Sequence, residues 1–270
     1  MEKLTEKWLP TSIPVIGGEP FYVRRIFCVG RNYAAHAREM GHDPDRDLPF
    51  FFMKPFDAIV SSGSTIPYPS MTNELHHEIE LVVALKTGGS NIREDQATNC
   101  IYGYAVGLDM TRRDLQSEAK KHGRPWDMAK GFDNSAPCAP ITRKADIENI
   151  ESATIELKVN DQIKQQSSID RLIWSVPETI SFLSKLVELK PGDLIYSGTP
   201  DGVDAVNSGD YLYGTITGLS DLEINYKRVR HYEDHNVEYQ FSAITRTAGG
   251  SGIRNFKTRR SLPPRNKMSK

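Results

Sequence analysis

Residues 76–85 read HHEIELVVAL, and residues 104–110 read YAVGLDM. The first stretch predicts a β-strand over residues 78–85, because it is a short apolar run of strand length rich in residues that favour β-structure. Side chains two residues apart on a strand point to the same face, so Glu78 and Glu80 share one face with Val82. Two neighbouring carboxylates at the start of an apolar strand repel each other. Solvent, basic neighbours or a cation must therefore compensate their charge.

On both sides of this strand, short β-rich segments recur along the chain, and they outnumber the predicted helices. The strands are predicted over residues 25–29, 50–53, 58–60, 78–85, 102–108, 154–159 and 194–197. Helices are predicted over residues 33–40 (with Asn32 as the cap), 93–98, 114–121 and 177–189, the last being the most amphipathic. Strict alternation of strands and helices is absent, which favours an α+β fold, a β-rich mixed-sheet roll with a few outer helices. No glycine-rich phosphate-binding motif follows a strand, which argues against nucleotide binding.

Composition and charge narrow the class of protein. The 270 residues are 38% hydrophobic and 26% charged, which supplies a sizeable core and excludes a mainly disordered chain. A net charge of −1 favours neither a nucleic acid nor an acidic membrane as the main partner. The charge is uneven, because residues 241–270 carry +8 with no acid and the remainder carries −9. We therefore expect an N-terminal segment (1–24), a folded domain (25–227) and a basic, disordered C-terminal extension (228–270).

Cysteine usage and hydropathy bear on the cellular location. Cys28, Cys100 and Cys138 are far apart and odd in number, which fits reduced, buried thiols better than a disulfide framework. The N-terminus lacks the pattern of a signal peptide, and no apolar run approaches the roughly 18 residues of a membrane span. These patterns predict a soluble, cytoplasmic protein with no membrane partner.

Three acidic residues in the sequence are candidate ligands of a divalent metal ion. Asp109 directly follows a predicted apolar strand, where a side chain can project into a cleft, as Glu78 and Glu80 begin another. Three carboxylates without a thiolate favour Mg²⁺ or Mn²⁺, with Ca²⁺ a further option, over Zn²⁺. The alternative is a solvent-exposed strand end. His76 and His77 could add a nitrogen ligand, although two histidines before a strand are also typical of a solvated position.

Other residues are candidates for acid–base chemistry and anion binding. His36 and Glu39 lie three residues apart on a predicted helix, where a carboxylate can raise the basicity of an imidazole; the alternative is a surface pair. Lys130 lies within the hydrophobic stretch WDMAKGF and needs an anionic partner there. Arg113 and Gln116 would share one side of a helix, which suits either a bound carboxylate or a plain solvated face.

Seven segments together resemble the fumarylacetoacetate hydrolase family, in particular its branch of fumarylpyruvate and acylpyruvate hydrolases. They occur in the family's order from residue 20 to residue 226: CVGRNYAAHAREMG, FFMKP, HHEIELVVAL, YAVGLDMTRRDLQ, GRPWDMAKGF, LKVNDQIKQ and IYSGTPDGV. The resemblance implies the β-rich roll already favoured, and a homodimer. Residues 228–270 match nothing in the family pattern.

The resemblance also implies roles for particular residues. A divalent metal would be held by Glu78, Glu80 and Asp109. His36 and Glu39 would form a dyad that activates water, on a segment that orders over the site. Lys130 would stabilise a developing enolate, and the contacts to the substrate carboxylate would come from Arg113, Gln116 and Thr199.

The implied reaction is metal-dependent hydrolysis of a carbon–carbon bond in a small-molecule 2,4-dioxo acid. Fumarylpyruvate is the expected substrate, giving fumarate and pyruvate in gentisate breakdown, with Arg46 or Arg112 as guesses for the cation that meets its second carboxylate. The alternatives are an acylpyruvase or an oxaloacetate decarboxylase with the same enolate chemistry, and less favoured, an isomerase. A protein of another class, a binding module that recruits an acidic partner through its basic tail, also fits the charge pattern.

Overall fold

The computed structural model of the chain describes residues 10–33 and 47–227. Strands dominate these ranges. They are β1 (Ser12–Ile13), β2 (Phe21–Tyr22), β3 (Arg25–Gly30), β4 (Phe50–Lys54), β5 (Ile59–Ser61), β6 (Ser64–Ile66), β7 (Leu75–His76), β8 (Ile79–Leu85), β9 (Ile101–Leu108), β10 (Thr111–Arg112), β11 (Ala136–Cys138), β12 (Thr142–Arg143), β13 (Thr154–Val159), β14 (Gln162–Ser168), β15 (Asp193–Tyr196), β16 (Ala205–Val206), β17 (Tyr211–Ile216) and β18 (Leu222–Tyr226).

Helices are few and short in the described part of the chain. The α-helices are α1 (Glu94–Ala97), α2 (Arg113–Lys121), α3 (Asp127–Lys130) and α4 (Val176–Leu186). Single 3₁₀ turns lie at Phe56–Ala58, Thr98–Cys100, Lys144–Asp146 and Ile169–Arg171. None of the described helices is long and apolar enough to cross a membrane.

The strands form two larger sheets and two small ones. The largest sheet has the order β4-β3-β15-β8-β9-β11-β5, with β12 pairing against β9. It is mixed, since β15 runs parallel to β3 but antiparallel to β8, and β8 runs antiparallel to β9. A five-stranded sheet has the order β14-β13-β17-β18-β6. The small sheets are β1-β2 and β10-β7-β16.

Strand β8 lies in the middle of the core and is buried on both faces. Its odd-numbered residues, such as Ile79 and Leu81, belong to a hydrophobic cluster with Leu157 and Leu212 of the five-stranded sheet. Val82, on the other face, belongs to a second cluster that includes residues of β3, β11 and β15. The alternation predicted from HHEIELVVAL is therefore confirmed, and it places the two glutamates at the head of the second face.

The β-rich α+β architecture is the one predicted from the sequence, and most predicted strands occur within one or two residues of their expected bounds. Helix α4 begins as expected, where Ser175 and Glu178 form a reciprocal capping box. It ends three residues earlier than predicted, because Val187 is extended and Leu189 pairs instead with Gly89. The helical spacing of apolar residues continued to Leu189 because this residue is also buried, although it lies beyond the helix in the bridge with Gly89.

Asn32, the predicted helix cap, bonds to distant segments of the described chain. Asn32 is fully buried, and its side chain is occupied by other segments of the chain. Its Nδ2 donates to the carbonyl oxygens of Trp174 (2.9 Å) and Ser197 (2.7 Å), and its Oδ1 accepts from Trp174 N (2.7 Å). Tyr33, the expected first helical residue, instead forms a β-bridge with Leu172. The remaining residues of that predicted helix lie outside the described ranges.

A buried ion pair anchors the start of β15, the strand that leads to the candidate site. The Asp193 carboxylate is fully buried, and its Oδ2 accepts hydrogen bonds from Arg25 Nη2 (2.7 Å) and Lys190 N (2.9 Å). Its Oδ1 accepts hydrogen bonds from Arg25 Nε (3.0 Å) and Arg24 Nη1 (3.1 Å). Four donors compensate the cost of burying this charge.

We expect Asp193→Asn to lower the free energy of unfolding by about 1–3 kcal/mol, because charge-assisted hydrogen bonds are lost inside the core. Denaturant titration measures this change. The control is Asp95→Asn, which removes an exposed pair with Arg93 and is expected to change stability by no more than about 0.5 kcal/mol. Equal effects of the two substitutions would contradict the assignment of Asp193 as an anchor.

Candidate metal centre

Three carboxylates meet where β8 begins and β9 ends. The antiparallel register pairs Glu80 with Gly107, and Asp109 N donates to Glu78 O at 2.8 Å. This pairing brings Asp109 beside the head of β8. One ligand oxygen from each of Glu78, Glu80 and Asp109 lies within 4.8 Å of the others, and all three residues are buried. The alternative of a solvent-exposed strand end is therefore wrong.

Lys130 lies at the centre of this acidic cluster. Its Nζ donates to Glu78 Oε2 (2.6 Å), Asp109 Oδ2 (2.7 Å) and Thr111 Oγ1 (2.6 Å). Burial alone would lower the pKa of this ammonium group, but the charges of Asp109 and Glu78 raise it above its ordinary value. Lys130 therefore stays protonated, and the anionic partner predicted for it from its hydrophobic neighbours is present.

Two further cations form ion pairs with members of the cluster. Lys54 is fully buried at the end of β4, where its Nζ lies 2.7 Å from Asp109 Oδ1 and donates to Met110 O at 3.0 Å. Arg113, at the start of α2, donates through Nη2 to Glu78 Oε1. These ion pairs place positive charge directly against two of the three buried carboxylates.

Glu80 has a different environment. It accepts a hydrogen bond from Gly198 N (2.8 Å), but no lysine, arginine or histidine of the described ranges forms an ion pair with it. Burial, and then the negative charges of Asp109 and Glu78, raise the pKa of Glu80 well above its ordinary value. A divalent cation shared by the three acids would supply the missing charge. The donor set consists of hard carboxylate oxygens, which suits Mg²⁺ or Mn²⁺.

A chain of buried polar groups connects β8 to the loop that follows β15. The Gln165 side chain accepts from Ile79 N (3.1 Å), and its Nε2 donates to Thr199 Oγ1 (2.8 Å). On the same loop, Gly198 has φ +100°, and a Cβ added there would lie 2.6 Å from Asn32 Cβ. Only glycine suits both the conformation and the close approach, and that conformation aims its N–H at Glu80.

The two histidines before β8 do not join the carboxylate cluster. His77 is fully buried, and its Nδ1 lies 3.0 Å from Gln165 Oε1, so a solvated position is wrong for this residue. Burial lowers its pKa. His76 is half-buried beside Arg113, and burial together with that guanidinium lowers its pKa to about 4. Both imidazoles are therefore neutral groups that support the strand.

A cleft lies against the three carboxylates. Helix α2 presents Arg113 and Gln116 to it, and Arg113 Nη1 donates to Gln116 Oε1 at 2.6 Å. Their predicted position on one side of a helix is thus confirmed. The predicted site residues that line the cleft are Glu78, Glu80, Asp109, Arg113, Gln116, Lys130 and Thr199. His36 and Glu39 lie outside the described residues.

Lys54 is a site residue that the sequence patterns did not single out. A signal was present, because this lysine follows an apolar run in FFMKP just as Lys130 lies within an apolar stretch. A cation in such surroundings needs an anionic partner. Periodicity did not identify that partner, since Lys54 ends β4 and Asp109 follows β9, and these strands are not neighbours in the large sheet.

The sequence and the fold match those of known proteins. The family model described as "Fumarylacetoacetate (FAA) hydrolase C-terminal" matches residues 25–226. A curated fumarylpyruvate hydrolase from Ralstonia sp. is 45% identical over 187 residues, which is 68% of this chain and 97% of that protein. A relative from Arabidopsis thaliana named "Oxaloacetate tautomerase FAHD1, mitochondrial" is 39% identical over 204 residues, 76% of this chain and 91% of that protein.

Among solved structures, the chain is similar to a fumarylpyruvate hydrolase from Pseudomonas aeruginosa in complex with Mn²⁺ and pyruvate. The two are 49% identical, with a TM-score of 0.81. The match covers 84% of this chain and 100% of the other.

We expect Glu80→Gln to weaken Mn²⁺ binding by more than the roughly 10–100-fold typical of losing a residue that only supports a metal ligand. Titration of free Mn²⁺ by electron paramagnetic resonance measures this affinity without any substrate. The control is Glu74→Gln, an exposed carboxylate on the segment that leads to β8, which we expect to leave the affinity unchanged. If Glu80→Gln bound Mn²⁺ as tightly as the unsubstituted chain, the metal centre would lie elsewhere.

Proposed function

Because the chain belongs to the fumarylacetoacetate hydrolase family, we propose that it is a metal-dependent hydrolase that cleaves a carbon–carbon bond in a 2,4-dioxo acid. Fumarylpyruvate is the preferred substrate, giving fumarate and pyruvate. The observation that carries the proposal is the buried cluster of Glu78, Glu80 and Asp109, with Lys130 bonded to two of its members. The relatives named fumarylpyruvate hydrolase support the choice of substrate.

The three acids would hold Mg²⁺ or Mn²⁺, which when bound acts as a Lewis acid on the pyruvate end of the substrate, a contribution of several kcal/mol. Lys130 adds a buried positive charge beside the same oxygens. It stabilises the negative charge that develops on the leaving enolate. Arg113, Gln116 and Thr199 bind the substrate carboxylate from the walls of the cleft.

Besides the dioxo acid, the reaction consumes one molecule of water. His36, oriented by Glu39, takes a proton from water, and the resulting hydroxide adds to the C4 carbonyl. The C3–C4 bond then breaks, its electron pair passes into the pyruvate enolate, and the acyl group leaves as a carboxylic acid. Protonation of the enolate at C3 yields pyruvate. General-base assistance of this kind contributes about 10²–10⁴ in rate.

A second candidate function is the tautomerisation of oxaloacetate. Relatives of that name from Arabidopsis thaliana and Rattus norvegicus are each 39% identical to this chain and are covered over more than nine tenths of their length. The same acidic cluster and Lys130 would stabilise an enolate of oxaloacetate, and no water would be added. Decarboxylation of oxaloacetate would instead break its C3–C4 bond, release CO2 and leave the pyruvate enolate at the same site. Hydrolysis of other acylpyruvates differs only in the acyl group.

We place the enzyme in gentisate breakdown, to which fumarylpyruvate hydrolysis belongs. The cysteine usage and the N-terminal pattern favour the cytoplasm, and the family resemblance favours a homodimer. Sedimentation equilibrium of the full chain tests the homodimer directly.

We expect a panel of fumarylpyruvate, acetylpyruvate and oxaloacetate to separate these functions. With Mg²⁺ or Mn²⁺, kcat/KM is expected to be highest for fumarylpyruvate, measured by pyruvate release, and a chelator should abolish turnover until metal is restored. Oxaloacetate is followed both by its enol absorbance and by pyruvate release. Turnover of oxaloacetate alone, or activity unaffected by the chelator, would contradict the proposal.

We expect His36→Ala to lower kcat for fumarylpyruvate by about 10²–10⁴ while leaving Mn²⁺ affinity unchanged, because it removes the base and not a metal ligand. His122→Ala is the matched control, since His122 is exposed and paired with Glu118 on the surface. Activity on oxaloacetate that survives His36→Ala would favour tautomerisation or decarboxylation, which need no attack by water.

A further inference from the structure

Two cations line the cleft without a part in the acidic cluster. They are Arg31, directly after β3, and Lys120, in the last turn of α2. Among the described residues, neither forms an ion pair with an aspartate or a glutamate, whereas Lys54, Lys130 and Arg113 all do. Positive charge that no acid of the described ranges pairs with, in a cleft that also holds the three carboxylates, indicates an anionic ligand.

Both cations are supported by one wall of aromatic rings. The Arg31 guanidinium lies 5.4 Å from the centre of the Phe50 ring, and Lys120 Nζ lies 5.2 Å from the Trp126 ring. The Phe50 and Trp126 rings themselves meet edge to face at 5.7 Å. This cationic shelf (Arg31, Phe50, Lys120 and Trp126) thus forms a continuous surface on one side of the cleft.

The backbone of Arg31 is held in an unusual conformation. Its φ of +57° lies in the left-handed region that residues with a side chain rarely adopt. The preceding residue is Gly30, over which the Phe50 ring packs so closely that an added Cβ would lie 2.0 Å from it. Strain of this kind persists where the surrounding structure enforces it, and it is concentrated at functional sites.

The position of Lys120 on α2 separates it from the residues assigned to the pyruvate end. Arg113, Gln116 and Lys120 follow one another at spacings of three and four residues, so they share a face of the helix. Arg113 and Gln116 are buried beside Glu78, while Lys120 is exposed at the far end of the same face. Burial, and then the positive charges of Arg113 and Arg31, lower the pKa of Lys120 to about 8.

We propose that the cationic shelf is the subsite for the second carboxylate of a dicarboxylic substrate, with Arg31 and Lys120 as its specificity-determining residues. This inference rests on the proposed function, in which the first carboxylate is bound at the metal end. A planar, unsaturated acyl chain lies against Phe50 and Trp126, and its terminal carboxylate meets the two cations. The shelf therefore selects diacids over monoacids of the same length.

Of the two cations guessed from the sequence, Arg112 is not among the described residues that line the cleft. Its Nη1 donates to Met128 O (3.2 Å), and its guanidinium lies 4.4 Å from the centre of the Phe132 ring. Arg46 lies outside the described residues.

The test compares two ligands that differ only in the terminal carboxylate: 2-oxoheptanedioate and 2-oxoheptanoate. Both carry the 2-oxo acid end, and neither can be hydrolysed, because the 4-carbonyl is absent. Calorimetry on the full Mn²⁺-loaded chain measures their affinities without turnover. We expect the diacid to bind about ten- to a hundredfold more tightly, as a charge-assisted hydrogen bond provides.

Lys120→Met and Arg31→Met are each expected to reduce this preference by about tenfold or more. Lys120→Arg should retain most of it, and Lys121→Met, an exposed neighbour, should leave it unchanged. Thermal melting establishes that each variant is folded; if Lys120→Met is not, Arg31→Met and Lys120→Gln provide the comparison.

Two results would overturn the inference: an equal affinity of the unsubstituted chain for both ligands, or an equal loss of affinity for both in the variants. Failure to hydrolyse fumarylpyruvate would instead count against the proposed function, because the ligand comparison does not depend on hydrolysis.

Discussion

The balance of buried charge is the constraint on which the rest of this structure depends. Three carboxylates in the interior would each be costly to ionise, and their mutual repulsion adds to that cost. Lys130, Lys54 and Arg113 offset the charges of Glu78 and Asp109 through direct contacts. A dication at Glu80 would complete the compensation. The residues proposed to make the site reactive are therefore also residues that balance its buried charge.

The fold fixes the positions of the clustered carboxylates, because they lie at the ends of well-packed strands. Strand β8 is packed on both faces, so the glutamates at its head cannot turn toward solvent without disrupting two hydrophobic clusters. The loop after β15 is tied to the cluster through Gly198 N, and to β8 through Gln165. Such support around the ligands is what keeps carboxylates in position for a metal. The packing that stabilises the sheet therefore also fixes the positions of the carboxylates.

The distribution of charge within the cleft also orients a ligand. Its floor carries the carboxylates and would bind the chelating end of an oxo acid through a metal. One wall carries Arg31 and Lys120 on their aromatic supports, which suits a distant negative group. A substrate with an anionic group at each end can satisfy both regions at once. Under the proposed function, this distribution of charge would give a general enolate chemistry a preference for substrates with two carboxylates.

The sequence by itself determined the local features: the strand of HHEIELVVAL, the shared face of Glu78 and Glu80, and the helix that carries Arg113 and Gln116. Periodicity is enough for these, because neighbours along a strand or helix are neighbours in space. Only the tertiary structure decided that Asp109 lies beside the glutamates, that Lys54 pairs with it and that the buried Asn32 side chain binds distant carbonyls. These contacts join segments far apart in the chain, and no local pattern encodes which strand ends meet or which charges become buried together.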